Sequence, residues 1–83
     1  MEHYLILARS ITYAQRMQRA MSAAGVRCQM FRAPRELAES GCAYVLKVEI
    51  SELNRALSAI YRSGLGIVRV FEYQNGTYRE VGI

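Results

Sequence analysis

Apolar residues recur along this chain at two periods, and the switches between them mark its elements. His3–Ala8 is almost uniformly apolar and stops at Arg9-Ser10, which predicts a strand with little room for a wet face. The spacing then lengthens. Tyr13, Ala14, Met17, Ala20, Met21 and Ala24 fall three and four apart, while Gln15, Arg16, Gln18 and Arg19 fill the opposite side. That is an amphipathic helix, with Ser10 or Thr12 to cap its start and Gly25 to end it. Val26–Phe31 returns to period two, with Val26, Cys28 and Met30 alternating against Arg27 and Gln29, and predicts a second strand. Arg32–Gly41 breaks the pattern with Pro34, Ser40 and Gly41 and reads as a loop. Ala43–Val48 is a third strand. Ser51 is placed to cap a second helix with the stripe Leu53, Ala56, Leu57, Ile60 and a stop at Gly64. Gly66–Tyr73 supplies a fourth strand, and Asn75-Gly76 predicts a type I′ hairpin into a fifth strand from Thr77.

The order β-α-β-β-α-β with a terminal hairpin strand predicts an α+β fold, the ferredoxin-like split βαββαβ two-layer sandwich. Right-handed crossovers then put both helices on one face, with the first and third strands central and adjacent. At 83 residues, against roughly 100–200 per domain, the expectation is a single ferredoxin-like domain over residues 1–83. The topology gathers three loops at one end of the sheet: Arg9-Ser10, Arg32–Cys42 and Gly64–Gly66.

Composition narrows the function classes. No apolar run approaches the ~20 residues that span a bilayer, and Met1-Glu2-His3 does not open a signal peptide, so the chain is expected in the cytoplasm. There is no Gly-rich phosphate loop and no metal-ligand cluster, and His3, the one histidine, is next to the chain start; neither metal nor cofactor is expected. The charge is uneven. The ten Arg and Lys47 face seven Glu and no Asp, for a formal +4. Residues 1–35 carry +5 and the remainder −1.

Two cysteines, Cys28 and Cys42, form no C-x-x-C or zinc spacing and are expected to be thiols in a reducing compartment. Cys28 shares parity with Val26 and Met30, which assigns it to the helix-facing core as a small hydrophobe. Cys42 has two readings. It shares parity with Tyr44, Leu46 and Val48, as a buried strand residue would. It also follows Ser40-Gly41 and opens the third strand, beside the expected N-terminus of the first helix. The positive end of a helix, with Arg9, Arg32 and Arg35 nearby, would lower a thiol pKa, and the thiolate is the reactive form.

The chain resembles the selenium/sulfur carrier-like family of small bacterial proteins over most of residues 3–70. The residues that carry the resemblance are the strand ending in Arg9-Ser10, Ala14, the helix close Ala24-Gly25-Val26, Pro34-Arg35-Glu36-Leu37 and Ser40-Gly41-Cys42-Ala43. The Pro-Arg followed by Ser/Gly-Cys is the distinctive part. In the family the cysteine is commonly followed by glycine, whereas here Ala43 stands there and Gly41 precedes it. The resemblance implies a thiol carrier: Cys42 takes sulfur or selenium as a persulfide or selenide from a donor enzyme and hands it to an acceptor protein. Arg9 and Arg35 would stabilise the anion and the Ser10 hydroxyl would hydrogen-bond it. Such a carrier acts stoichiometrically, without turnover of its own.

Two other classes remain. The first strand is apolar on both faces (Tyr4, Ile6, Ala8 and Leu5, Leu7), and the fourth offers Ile67 and Phe71 on one face and Val68 and Val70 on the other. A two-layer fold covers one sheet face with helices, which predicts a bare apolar patch on the other. That patch predicts a homodimer through the open sheet face or the terminal hairpin, and hence a binding or assembly module. The +4 charge and an RRM-like strand order invite RNA binding. The third strand, however, lacks the basic-Gly-aromatic pattern of that class, and Tyr4 and Tyr44 are poor substitutes. Nucleic acid is not the expected partner.

Overall fold

A computed structural model describes residues 3–37, 43–65 and 69–81. Strand β1 (His3–Ala8) lies at the centre of a five-stranded sheet because it is apolar on both faces. Tyr4, Ile6 and Ala8 pack to one side and Leu5 and Leu7 to the other. The other elements are helix α1 (Ile11–Ala23), β2 (Gln29–Arg32), β3 (Tyr44–Glu49), a 3-10 turn (Ile50–Glu52), helix α2 (Leu53–Arg62), β4 (Arg69–Gln74) and β5 (Thr77–Val81). The strand order is β2-β3-β1-β4-β5, antiparallel throughout, so β1 and β3 are the central neighbours that the sequence predicted. In the registers His3 faces Glu49 on β3 and Tyr73 on β4, and Ala8 faces Tyr44. No helix among the described residues is long and apolar enough to cross a membrane.

Both helices close with the same device. Gly25 N–H bonds to the Ser22 carbonyl and Val26 N–H to that of Met21; Gly64 N–H bonds to Tyr61 and Leu65 N–H to Ile60. This is the Schellman pattern, in which a residue with positive φ reverses the chain and the next apolar residue folds under the helix. Gly25 (φ 78) and Gly64 (φ 77) take that conformation, and Val26 and Leu65 are buried behind them. Val26 therefore belongs to the helix close. The second strand starts at Gln29, three residues later than the alternation suggested. At the hairpin, Asn75 (φ 54) and Gly76 (φ 77) both have the positive φ of a type I′ turn.

The start of α2 corrects a second expectation. Ser51 does not cap it: residues 50–52 form the 3-10 turn, Glu52 holds the cap position, and neither start has a side-chain cap hydrogen bond. Glu52 instead pairs with Arg55 at 2.9 Å, and Arg55 Nη2 donates to the Ala24 carbonyl at 2.9 Å, tying α2 to the end of α1.

The helices cover one face of the sheet. The core there runs through Ile6, Ala8, Leu46, Val48 and Val70 from the strands and Met17, Met21, Ala56 and Ile60 from the helices. The opposite face is not bare. Leu5, Val45 and Phe71 are buried there under Leu37, which is itself 4% exposed, with Leu7, Ala33 and Tyr78 at the margin. The chain leaves β2, turns from Pro34 to Leu37 (Leu37 N–H to the Pro34 carbonyl, 2.9 Å) and lays Leu37 on the sheet. The bare apolar patch expected opposite the helices falls on the Leu5 and Phe71 side and is closed there within the chain by Leu37; Ile67 and Val68 lie outside the described residues. Leu37 falls in the stretch that the sequence predicts as a loop, and one apolar residue in a turn has no periodicity to reveal it.

Candidate functional site

Cys42 lies outside the described residues, and the structure describes the frame on either side of it. Its neighbour Ala43 is buried, and the Ala43 carbonyl accepts a hydrogen bond from Ala33 N–H at 3.0 Å, which prolongs the β2–β3 ladder by one pair. Tyr44 then faces Ala8 on β1 and Arg32 on β2. The chain thus enters β3 level with the end of β1, where Arg9 and Ser10 lead into α1. Leu7 faces Arg69, so β4 begins at the same end.

Ser10 is the N-cap of α1. It has extended backbone (φ −154, ψ 165), and its Oγ accepts from Tyr13 N–H at 3.2 Å. A hydroxyl that accepts still keeps its own proton to donate. The first turn of α1 holds no acidic residue, so the partial positive charge of the helix N-terminus has no carboxylate from its own helix against it. The Arg9 guanidinium lies 4.6 Å from the centre of the Tyr13 ring, a cation–π contact. The Tyr13 hydroxyl in turn donates to the Leu65 carbonyl, across 52 residues of sequence. Arg9, Ser10, Tyr13 and Leu65 therefore form one connected group. The sequence reading placed Tyr13 in the helix stripe without this tie. A phenol among Ala and Met was the available signal, because a buried tyrosine hydroxyl needs a partner.

Arg35 is exposed in the turn that carries Leu37 to the face opposite the helices. The described contacts therefore join Arg9 and Ser10 through Tyr13, while Arg35 belongs to the turn that reaches the other face. Arg32 is exposed at the end of β2, level with Tyr44.

Cys28 occupies the other end of the sheet. It is partly buried against the helix-side core, as its parity predicted. Burial pushes its thiol pKa up, and a hydrogen bond with Gln18 pulls the other way more weakly. Cys28 also lines an open groove of about 1130 Å³ together with His3, Lys47, Glu49 and Glu52. Among the described residues no three His, Cys, Asp or Glu side chains are grouped to hold a metal ion.

Comparison with known proteins gives one finding. No match was found among curated proteins or among solved structures. A family model does match, over residues 3–72, which takes in every element from β1 into β4, and by it the chain belongs to the family described as "Putative Se/S carrier protein-like".

Proposed function

We propose that the chain carries sulfur or selenium on Cys42. Family membership over residues 3–72 is the observation that carries this reading. The frame around Cys42 supports it: its neighbour Ala43 enters β3 level with Arg9 and the N-terminus of α1, whose first turn holds no acidic residue. Both favour an anion, and the persulfide and the thiolate are anions. We also read the sheet as the ferredoxin-like arrangement with β5 added beyond β4, a fold that brings these loops to one end.

In the proposed step the Cys42 thiolate attacks the outer sulfur of a persulfide on the donor enzyme. The donor's sulfur–sulfur bond breaks, its thiolate leaves with the electron pair, and Cys42 becomes the persulfide. The same displacement by the acceptor's thiolate releases the cargo, so no net oxidation occurs and no base fixed in the protein is required. Selenium follows the same path as the outer atom. Arg9 and a donated Ser10 proton stabilise the anion.

The experiment is intact-mass spectrometry after incubation with a cysteine desulfurase and cysteine. The expected result is a gain of one sulfur atom, lost in Cys42→Ser and kept in Cys28→Ser. No gain with a donor shown to be active, or a gain that survives Cys42→Ser, overturns the reading.

A further inference from the structure

The sheet has two edges, and they are built differently. β5 carries Arg79 and Glu80 at its middle, each paired with β4: Arg79 with Glu72 at 2.6 Å and Glu80 with Arg69 at 2.9 Å. A second copy added antiparallel to β5 around a two-fold axis at Arg79 or Glu80 sets like charges face to face, which is destabilising. Charged residues on an edge strand are a common guard against such pairing.

β2 carries a single charge, Arg32 at its end, and none at its middle. Among the described residues it pairs with β3 alone, and its four residues are Gln29, Met30, Phe31 and Arg32. The Ala33 N–H to Ala43 carbonyl bond fixes which backbone groups point outward. Hydrogen-bonded pairs alternate along an antiparallel ladder, so Gln29, Phe31 and Ala33 bond inward to β3. Met30 and Arg32 present their N–H and C=O groups away from the sheet. Phe31 is one of the few large apolar side chains left exposed among the described residues, at 41%. It faces Val45, a member of the Leu5–Leu37–Phe71 cluster.

We propose that two copies of this chain join antiparallel through β2, about a two-fold axis at Phe31. In that register Met30 of each copy faces Arg32 of the other and their outward groups form four backbone hydrogen bonds. The two Phe31 rings meet in a non-hydrogen-bonded pair, where Cα atoms are ~4.5 Å apart and side chains are closest. Within β2 no like charges oppose. The alternative axis at Met30 gives two such bonds from residues within β2, the rest falling on Cys28. The small contact makes the association reversible and concentration-dependent. This inference stands independently of the chemistry at Cys42.

Sedimentation velocity from micromolar to millimolar protein tests it. The expected result is a shift from monomer to dimer. Arg32→Pro removes an outward N–H from each copy without touching the β3 ladder, and should raise the dimer dissociation constant at least ~10-fold. Arg32→Ala keeps the N–H and should leave it within ~3-fold. In a Cys28→Ser, Cys42→Ser background, Phe31→Cys should cross-link to a disulfide dimer on mild oxidation. Far-UV circular dichroism checks that each variant is folded. A chain that stays monomeric to millimolar concentration overturns the proposal. So does a dimer indifferent to Arg32→Pro, or one that cross-links through Met30→Cys and not Phe31→Cys.

Discussion

The two faces of the sheet are buried by different means. On one, two helices of thirteen and ten residues lie over the strands, and the core is shared among many side chains from six elements. On the other, one turn sets Leu37 on Leu5, Val45 and Phe71, with Tyr78 beside them. The first arrangement spreads its stabilisation across the whole chain. The second concentrates it on one side chain, in the segment that runs on towards Cys42. A cover of that kind can loosen without unfolding the domain, since local opening is governed by few buried contacts.

The sharpest break in this comparison comes from the helix side. Ile6 is fully buried at the centre of β1, and Ile6→Ala should cost about 2–5 kcal/mol through lost transfer energy and a cavity. Against ~0.05–0.15 kcal/mol of stability per residue for a folded domain, that is a large fraction of the total. Urea unfolding should show one transition at a lower midpoint, with every probe moving together. A variant that opened only near β1 would contradict a shared core.

Leu37→Ala addresses the other face. Its cost should sit at the low end of the range for leucine truncation, about 2 kcal/mol, because a turn can settle into the space. Hydrogen exchange should separate the two faces: faster opening at Leu5, Val45 and Phe71, with Met17 and Met21 in α1 protected as before. Equal acceleration in α1 would mean that the strap is part of the cooperative core.

This asymmetry also explains what could be read in the sequence. β1 and both helices announce themselves by period, and Gly25, Gly64 and Asn75-Gly76 mark turns because a positive φ has few other solutions. Ser10 was legible as a cap. Val26 was misread because a residue folded under a helix end and the first residue of a strand are both apolar. Ser51 was misread because its 3-10 turn satisfies the helix start by backbone geometry. Leu37 and Tyr13 act across 30 to 60 residues of sequence on Leu5, Phe71 and Leu65, contacts that no local pattern encodes. At the candidate site, topology predicts that Arg9 and Ser10 follow β1 level with the start of β3, and the register places them there. The course of the turn that holds Arg35 depends on which face Leu37 packs against, and that is a packing outcome.

A smaller effect probes the tie between the helix side and the candidate site. Tyr13→Phe removes the hydroxyl that donates to the Leu65 carbonyl and keeps the ring under Arg9. The expected loss is about 1 kcal/mol, the net worth of one such hydrogen bond, read from urea midpoints at unchanged m-value. If the Arg9–Tyr13–Leu65 group acts as a unit, Arg9→Ala and Tyr13→Phe will be less than additive in a double-mutant cycle.

The smallest effects are electrostatic, and β5 supplies two of opposite sign. The hydrogen bond from Arg69, the larger cause, and its charge hold the Glu80 carboxyl below its ordinary value. Its folded pKa is depressed, so whatever the pair contributes is present above the unfolded carboxylate value and disappears as pH falls through the folded one. Tyr78 goes the other way. Burial, then the nearby Glu36 and Tyr73, push its phenol up. Its contribution is complete below the unfolded phenol value and is lost as pH rises through the folded one. Nuclear magnetic resonance titration should place the Glu80 midpoint below that of the peptide and the Tyr78 midpoint above it. Because the Arg69–Glu80 pair is exposed, Glu80→Gln should leave the neutral-pH melting temperature almost unchanged. Leu37→Ala should bring Tyr78 back towards its ordinary value while leaving Glu80 in place. Of these two shifts, only that of Tyr78 depends on the strap, so a Glu80 midpoint that moved as well would mean the turn supports β5 as a whole.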